Sequence, residues 1–164
     1  MRLAIDNVSI VESRDYDYFA YVCESNTYQQ YTRKEWFNIL TELDALYFEC
    51  RVNNQRRGIT FLTNRNIDGE IIVTLDGYRD ERIKSSYKDT IKSGKLLTRY
   101  AFNELALREL WTENRMDAPE VNILAKVIGF KNVLTDIQNG VYMNCMVFDD
   151  TLINERKTYG VYYG

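Results

Sequence analysis

A chain of 164 residues, 45% hydrophobic and 27% charged, is sized for one domain with its own core and is too short for two of ordinary size. Its net charge of −3 weighs against a dedicated nucleic-acid binder, and the absence of histidine excludes Ser-His-Asp and Cys-His nucleophile systems and the common zinc sites. Three cysteines without metal-ligand spacing predict no metal centre, and no apolar run reaches membrane-spanning length. The opening MRLAIDNVSIVESRD has no signal-peptide core, so cytoplasmic residence is expected.

In chain order, residues 3–11 (LAIDNVSIV) read as a first strand. Residues 15–31 carry tyrosines at 16, 18, 21, 28 and 31 and predict a helix followed by a loop. Thr32 and Glu35 form a capping box for a second helix, with Trp36, Ile39, Leu40 and Leu43 on its apolar face. Alternation over 45–52 puts Phe48, Cys50 and Val52 on one face and Tyr47, Glu49 and Arg51 on the other. Asn53-Asn54-Gln55 is a turn, 58–63 (GITFLT) the partner strand, and Asp68-Gly69 a hairpin signal. The β-branched run 70–75 (EIIVTL) predicts a central strand covered on both faces, and 76–92 a polar connection.

Residues 93–130 read as loop, helix, strand and helix with a Gly-Phe exit. Leu97, Ala101 and Leu105 mark the first helix and 109–113 (ELWTE) the strand. The second helix is capped by Asp117, with Pro119 and Glu120 in its first turn and Ile123, Leu124, Val127 and Ile128 as its apolar stripe. Asn139-Gly140 punctuates a last hairpin of 131–137 and 141–148, and the aromatic tail 157–164 could add an edge strand. The whole predicts a single α/β (α+β) domain over 1–164: a mixed, mostly antiparallel sheet of six or seven strands with helices on both faces.

The phrases AFNELAL and AKVIGF, with a strand and a capped helix between them, resemble the C-terminal half of the GNAT family, the acetyl-CoA-dependent N-acyltransferases. That resemblance implies acetyl transfer to an amine of a protein or small molecule. It places the acetyl-CoA pyrophosphate at the loop before the first of those helices, written in the family Q/R-x-x-G-x-G/A. Here Lys88 falls at the Q/R position, Ile91 at the first Gly and Ser93 at the Gly/Ala, with Gly94 one residue late and Lys92 and Lys95 adding charge. Lys88, Lys92, Ser93, Gly94 and Lys95 are therefore the expected cofactor-binding residues. The family's asparagine before the last helix is Ala118 here, and its tyrosine acid is Ala125.

Acid–base work would then fall to Glu70 and Glu113 as bases and to Tyr142 or Cys145 as acid. The departures equally imply an inactive GNAT-like scaffold that docks on another macromolecule. A histidine-free composition rich in Asn, Tyr and Ile is similar to that of small viral or phage proteins, for which the partner would be a host protein or nucleoprotein such as the transcription machinery. Arg51, Arg56, Arg57 and Arg65 around one hairpin offer a weaker nucleic-acid surface.

Overall fold

The structure, a computed structural model, describes residues 2–26, 30–84 and 86–149. Its elements are β1 (Arg2–Ile5), β2 (Val8–Glu12), α1 (Tyr16–Glu24), α2 (Arg33–Glu42), β3 (Ala45–Val52), β4 (Gln55–Ile67), β5 (Glu70–Arg79), α3 (Tyr87–Asn103), β6 (Glu109–Arg115), α4 (Pro119–Ile128), β7 (Lys131–Gln138) and β8 (Val141–Asp149). Among the described residues eight strands form one sheet in the order β1-β2-β3-β4-β5-β6-β8-β7; the expected edge strand of the tail, 157–164, lies outside them. All neighbours are antiparallel except β5 and β6.

Turn chemistry sets most of the registers. Asn53 and Asn54 both take positive φ between β3 and β4, as do Asp68-Gly69 between β4 and β5 and Asn139-Gly140 between β7 and β8. The expected first strand is instead a β1–β2 hairpin, because Asp6 turns with a φ of 52°. Alternation continues across so tight a turn, so periodicity alone could not find it.

Two cores lie on opposite faces. Phe48, Leu62, Leu96, Leu97, Ala101, Leu110, Met146 and Phe148 pack beneath α3 and α4. Phe19, Val22, Trp36, Leu40, Tyr47, Ile59 and Phe61 pack beneath α1 and α2. Thr32 caps α2 as expected, its Oγ1 accepting from the Glu35 N–H at 3.2 Å. Beyond Thr63 the β4–β5 hairpin runs past the helices: Ile71 is 70% exposed, so β5 is covered along only part of its length.

Helix α4 differs from its expected form at its N-terminus and in the face it buries. Ala118 is its N-cap and makes no side-chain cap bond, while the Asp117 carboxylate accepts the Arg115 side-chain fork at 2.7 and 2.8 Å. Asn122, Ala125 and Ile128 are the buried positions, whereas Ile123 and Val127 face solvent.

A buried charge ties α1 to the β3–β4 hairpin. Glu49, 1% exposed, accepts from Arg51 at 2.6 Å and Arg56 at 3.1 Å, and Arg56 also reaches Asp15 at 2.8 Å and stacks over Tyr18. Both arginines can turn toward water if the carboxylate is lost, which limits the damage to the hole left behind. Glu49→Ala should therefore cost about 2 kcal/mol, read as a shifted urea midpoint at unchanged slope.

Candidate active site

The site is set by the parallel pair. Register pairing between β5 and β6 is confined to Thr74↔Trp111, and the Thr112 hydroxyl donates to the Leu75 carbonyl at 2.9 Å just beyond it. Past that point the strands have no ladder, so their C-terminal ends frame an opening between Asp76–Arg79 and Glu113–Arg115. An opening at the carboxyl ends of parallel strands exposes backbone N–H and C=O groups that a ligand can pair.

Two cross-strand rows line the face toward α1 and α2. The first is Thr63, Thr74 and Trp111 on β4, β5 and β6. Thr63 Oγ1 and Trp111 Nε1 are buried there with no hydrogen-bond partner among the described residues. The second row holds Phe61 and Asp76 on paired strands and, across the opening, Glu113 beside Cys145. Glu113 accepts from Arg65 at 3.1 Å and from Gln138 at 2.9 Å, so β4 and β7 hold its carboxylate from two sides. Burial, helped by the charge of Glu113 and opposed by Arg65, pushes the Asp76 carboxyl up to about 6. Burial likewise raises the thiol of Cys23 and the hydroxyls of Tyr47 and Tyr78 around Asp76, leaving them neutral.

The connection from β5 to α3 is shorter than expected. β5 continues to Arg79 and α3 begins at Tyr87, which leaves 80–86 between them. Asp80 anchors this loop: it is fully buried, receives the Arg82 side-chain fork at 2.7 and 2.9 Å, and accepts from Tyr18 at 3.3 Å. Burial opposes its charge, yet the bonds from Arg82 and Tyr18 hold its carboxyl below the ordinary range. Ser86 caps α3, accepting from the Asp89 N–H at 3.2 Å.

The expected cofactor loop is thereby corrected. Lys92, Ser93, Gly94 and Lys95 lie inside α3, where helical bonding consumes their N–H groups. Lys92 pairs with Asp6 at 3.0 Å, and Ser93 Oγ donates to the Asp89 carbonyl at 3.1 Å. Gly94 serves helix packing: a Cβ there would stand 2.3 Å from Ile128 Cδ1 of α4. Lys88 sits exposed in the first turn. Sequence reasoning erred because a polar run with a cap is also how an exposed helical start is written.

Of the expected catalytic residues, the structure brings Glu113 to the opening and leaves Glu70 away from it. Glu70 begins β5 at the hairpin tip, roughly 20 Å along the strand from Asp76. Tyr142 lies on β8, 59% exposed, with its carbonyl accepting from the Met116 N–H where β6 ends. Cys145 is buried beside Glu113, and burial raises its thiol. Asp76 was missed because the strand was ended at Leu75; the alternation Thr74, Asp76, Tyr78 was the available signal. Asn122 was missed as well. It is buried, donates to the Arg115 and Ala118 carbonyls at 2.8 and 3.0 Å, and accepts from Asn144 at 3.0 Å, fixing the β6–α4 corner.

The hairpin arginines are largely engaged within the chain: Arg51 and Arg56 by Glu49, Arg57 by the Lys84 carbonyl, and Arg65 by Glu113. No helix among the described residues is long and apolar enough to cross a membrane.

No family model matches the chain, and no curated protein matches it in sequence. Solved structures do match it. An apo structure of FdhC, described as a nucleotide-linked sugar GNAT, superposes with a TM-score of 0.75 at 13% identity over 97% of this chain and 96% of that one. A GNAT-family acetyltransferase from Bacillus anthracis gives 0.72 at 11% identity over 92% and 99%. The aminoglycoside acetyltransferase AAC(6')-Ib, in complex with coenzyme A and kanamycin, gives 0.73 at 11% over 92% and 99%. At such identities what is shared is the backbone arrangement. The chain has the GNAT fold.

Proposed function

We propose that the protein is an acetyl-CoA-dependent N-acyltransferase whose reaction centre is the opening between the ends of β5 and β6. The observation that carries this reading is Asp76, a carboxyl held near pKa 6 across from Glu113 where the ladder lapses. Thr63 and Trp111, with buried polar atoms left unpaired in the adjoining row, are suited to hydrogen-bond what enters. Exposed Lys88 and the first-turn N–H groups of α3 that the Ser86 cap does not take are suited to the phosphates. When bound, acetyl-CoA supplies the activated thioester.

Asp76, with Glu113 as its neighbour, takes the proton from the incoming ammonium, directly or through water. The freed amine attacks the thioester carbonyl, so that a C–N bond forms and the C–S bond breaks. Tyr142, on β8 next to the end of β6, is the proposed donor that returns a proton to the departing thiolate. Glu70 has no part in this arrangement.

One observation favours the second reading, a GNAT-like protein that no longer transfers acetyl groups and acts by docking on a macromolecule. The Tyr87 hydroxyl donates to the Glu120 carbonyl at 3.0 Å, and Ile128 packs against Gly94, so α3 and α4 meet along their length. Calorimetric titration with acetyl-CoA separates the two readings. Micromolar binding supports the enzyme, and no heat at millimolar ligand leaves the docking protein.

A further inference from the structure

Among the described residues, strand β7 is the outer edge of the sheet and is hydrogen-bonded only to β8, on its inner side. It is also exposed almost throughout, with Val133 52%, Leu134 51% and Ile137 59% accessible. Such an edge is a template for another strand unless something covers or guards it. Two guards are visible, Lys131 near its start and a bulge at Val133, where the register shifts between Asn132 and Leu134.

The bulge alters which residues share a face. Lys131 lies opposite Val147, Leu134 opposite Cys145 and Asp136 opposite Met143, so Lys131, Leu134 and Asp136 all point to one side of the sheet. With Val133 bulged out, Lys131 and Asp136 each stand two pairing positions from Leu134. Asn132 and Thr135, opposite Met146 and Asn144, each stand one position from it on the other face. The strand is thus self-complementary about Leu134. Against an antiparallel copy of itself, Leu134 meets Leu134, Asn132 meets Thr135, and Lys131 meets Asp136 twice.

We propose that β7 pairs antiparallel with β7 of a second copy about a two-fold axis at Leu134, joining two eight-stranded sheets into one. The guards that turn away unrelated strands are accommodated in this register, since each lysine finds a carboxylate and the two bulges fall on opposite sides of the axis, each between the Leu134 pair and an Asn132–Thr135 pair. Continuity with the candidate site is direct, because Gln138 at the end of the same strand donates to Glu113 at 2.9 Å. This inference rests on the edge alone and does not depend on acyl transfer.

Sedimentation of the full chain over a concentration series tests it. The wild type should show twice the mass of one chain, falling to one on dilution. Lys131→Glu and Asp136→Lys each place like charges opposite one another twice and should weaken the dimer about tenfold. An equimolar mixture of the two variants restores both ion pairs and should recover the wild-type association, which also shows that each variant is folded. A wild type that keeps the mass of one chain, its edge covered by something else, overturns the proposal. So does a dimer that both single variants leave intact.

Discussion

Asp76→Asn is expected to lower the rate of acetyl transfer by about 10²–10⁴-fold while making the fold more stable above pH 6. Both effects come from one carboxyl. In the folded chain it gives up its proton near 6, against an ordinary value of 3.8, because burial and the charge of Glu113 disfavour the anion. Below pH 4 the group is neutral in folded and unfolded chains alike, and its burial costs nothing extra. Between 4 and 6 the unfolded chain releases the proton while the folded chain keeps it, so stability falls as the pH rises. Above 6 the folded chain carries the ionised, unfavourable form. Asparagine cannot ionise, so the variant should gain on the order of 2 kcal/mol at pH 8 and nothing at pH 3.5. Urea titrations at the two pH values measure the difference, and a coupled assay of CoA release measures the rate. A merely structural aspartate would not move the two readouts in opposite directions.

Gly129→Ala should be the most damaging of three substitutions, at Gly129, Gly94 and Gly69, costing about 3 kcal/mol, or a melting temperature lower by roughly 10 °C. Gly129 ends α4 with a φ of 136°, a conformation side chains resist, and its added Cβ would lie 2.3 Å from Phe148 Cε2. Phe148 cannot retreat, because it is buried and packs on Phe102 and Phe130. Gly69→Ala isolates the backbone part, since φ there is 84° with nothing within 4 Å, and it should cost only about 1 kcal/mol. Gly94→Ala meets the flexible tip of Ile128 and should fall below Gly129→Ala. The expected ranking is read directly from thermal unfolding of the three variants.

Scaffold features were legible wherever one local rule governs. Asn53-Asn54, Asp68-Gly69 and Asn139-Gly140 each form the turn that their residue types favour, and Thr32 caps its helix. The Gly129-Phe130 exit holds too, although its glycine is needed as much for Phe148 as for the helix end. The chain was misread where a strand carries polar residues by design. Asp76 sits on β5 because that strand borders an opening, and a carboxyl there looks like the start of a loop. The lysine segment failed for the opposite reason: α3 begins two turns earlier than the family resemblance implied, so its glycine meets a neighbouring helix. That Asp76 feels the charge of Glu113 was not legible at all, since it depends on how β5 and β6 separate after Thr74↔Trp111.

Titration of the Asp76 carboxyl by carbon-13 NMR, with and without acetyl-CoA, tests the central claim most directly. A resonance that titrates near pH 6 in the free protein, shifts on adding acetyl-CoA and vanishes in Asp76→Asn is the result expected of a reaction centre between β5 and β6. A carboxyl that titrates near 4 and does not respond to acetyl-CoA would contradict it.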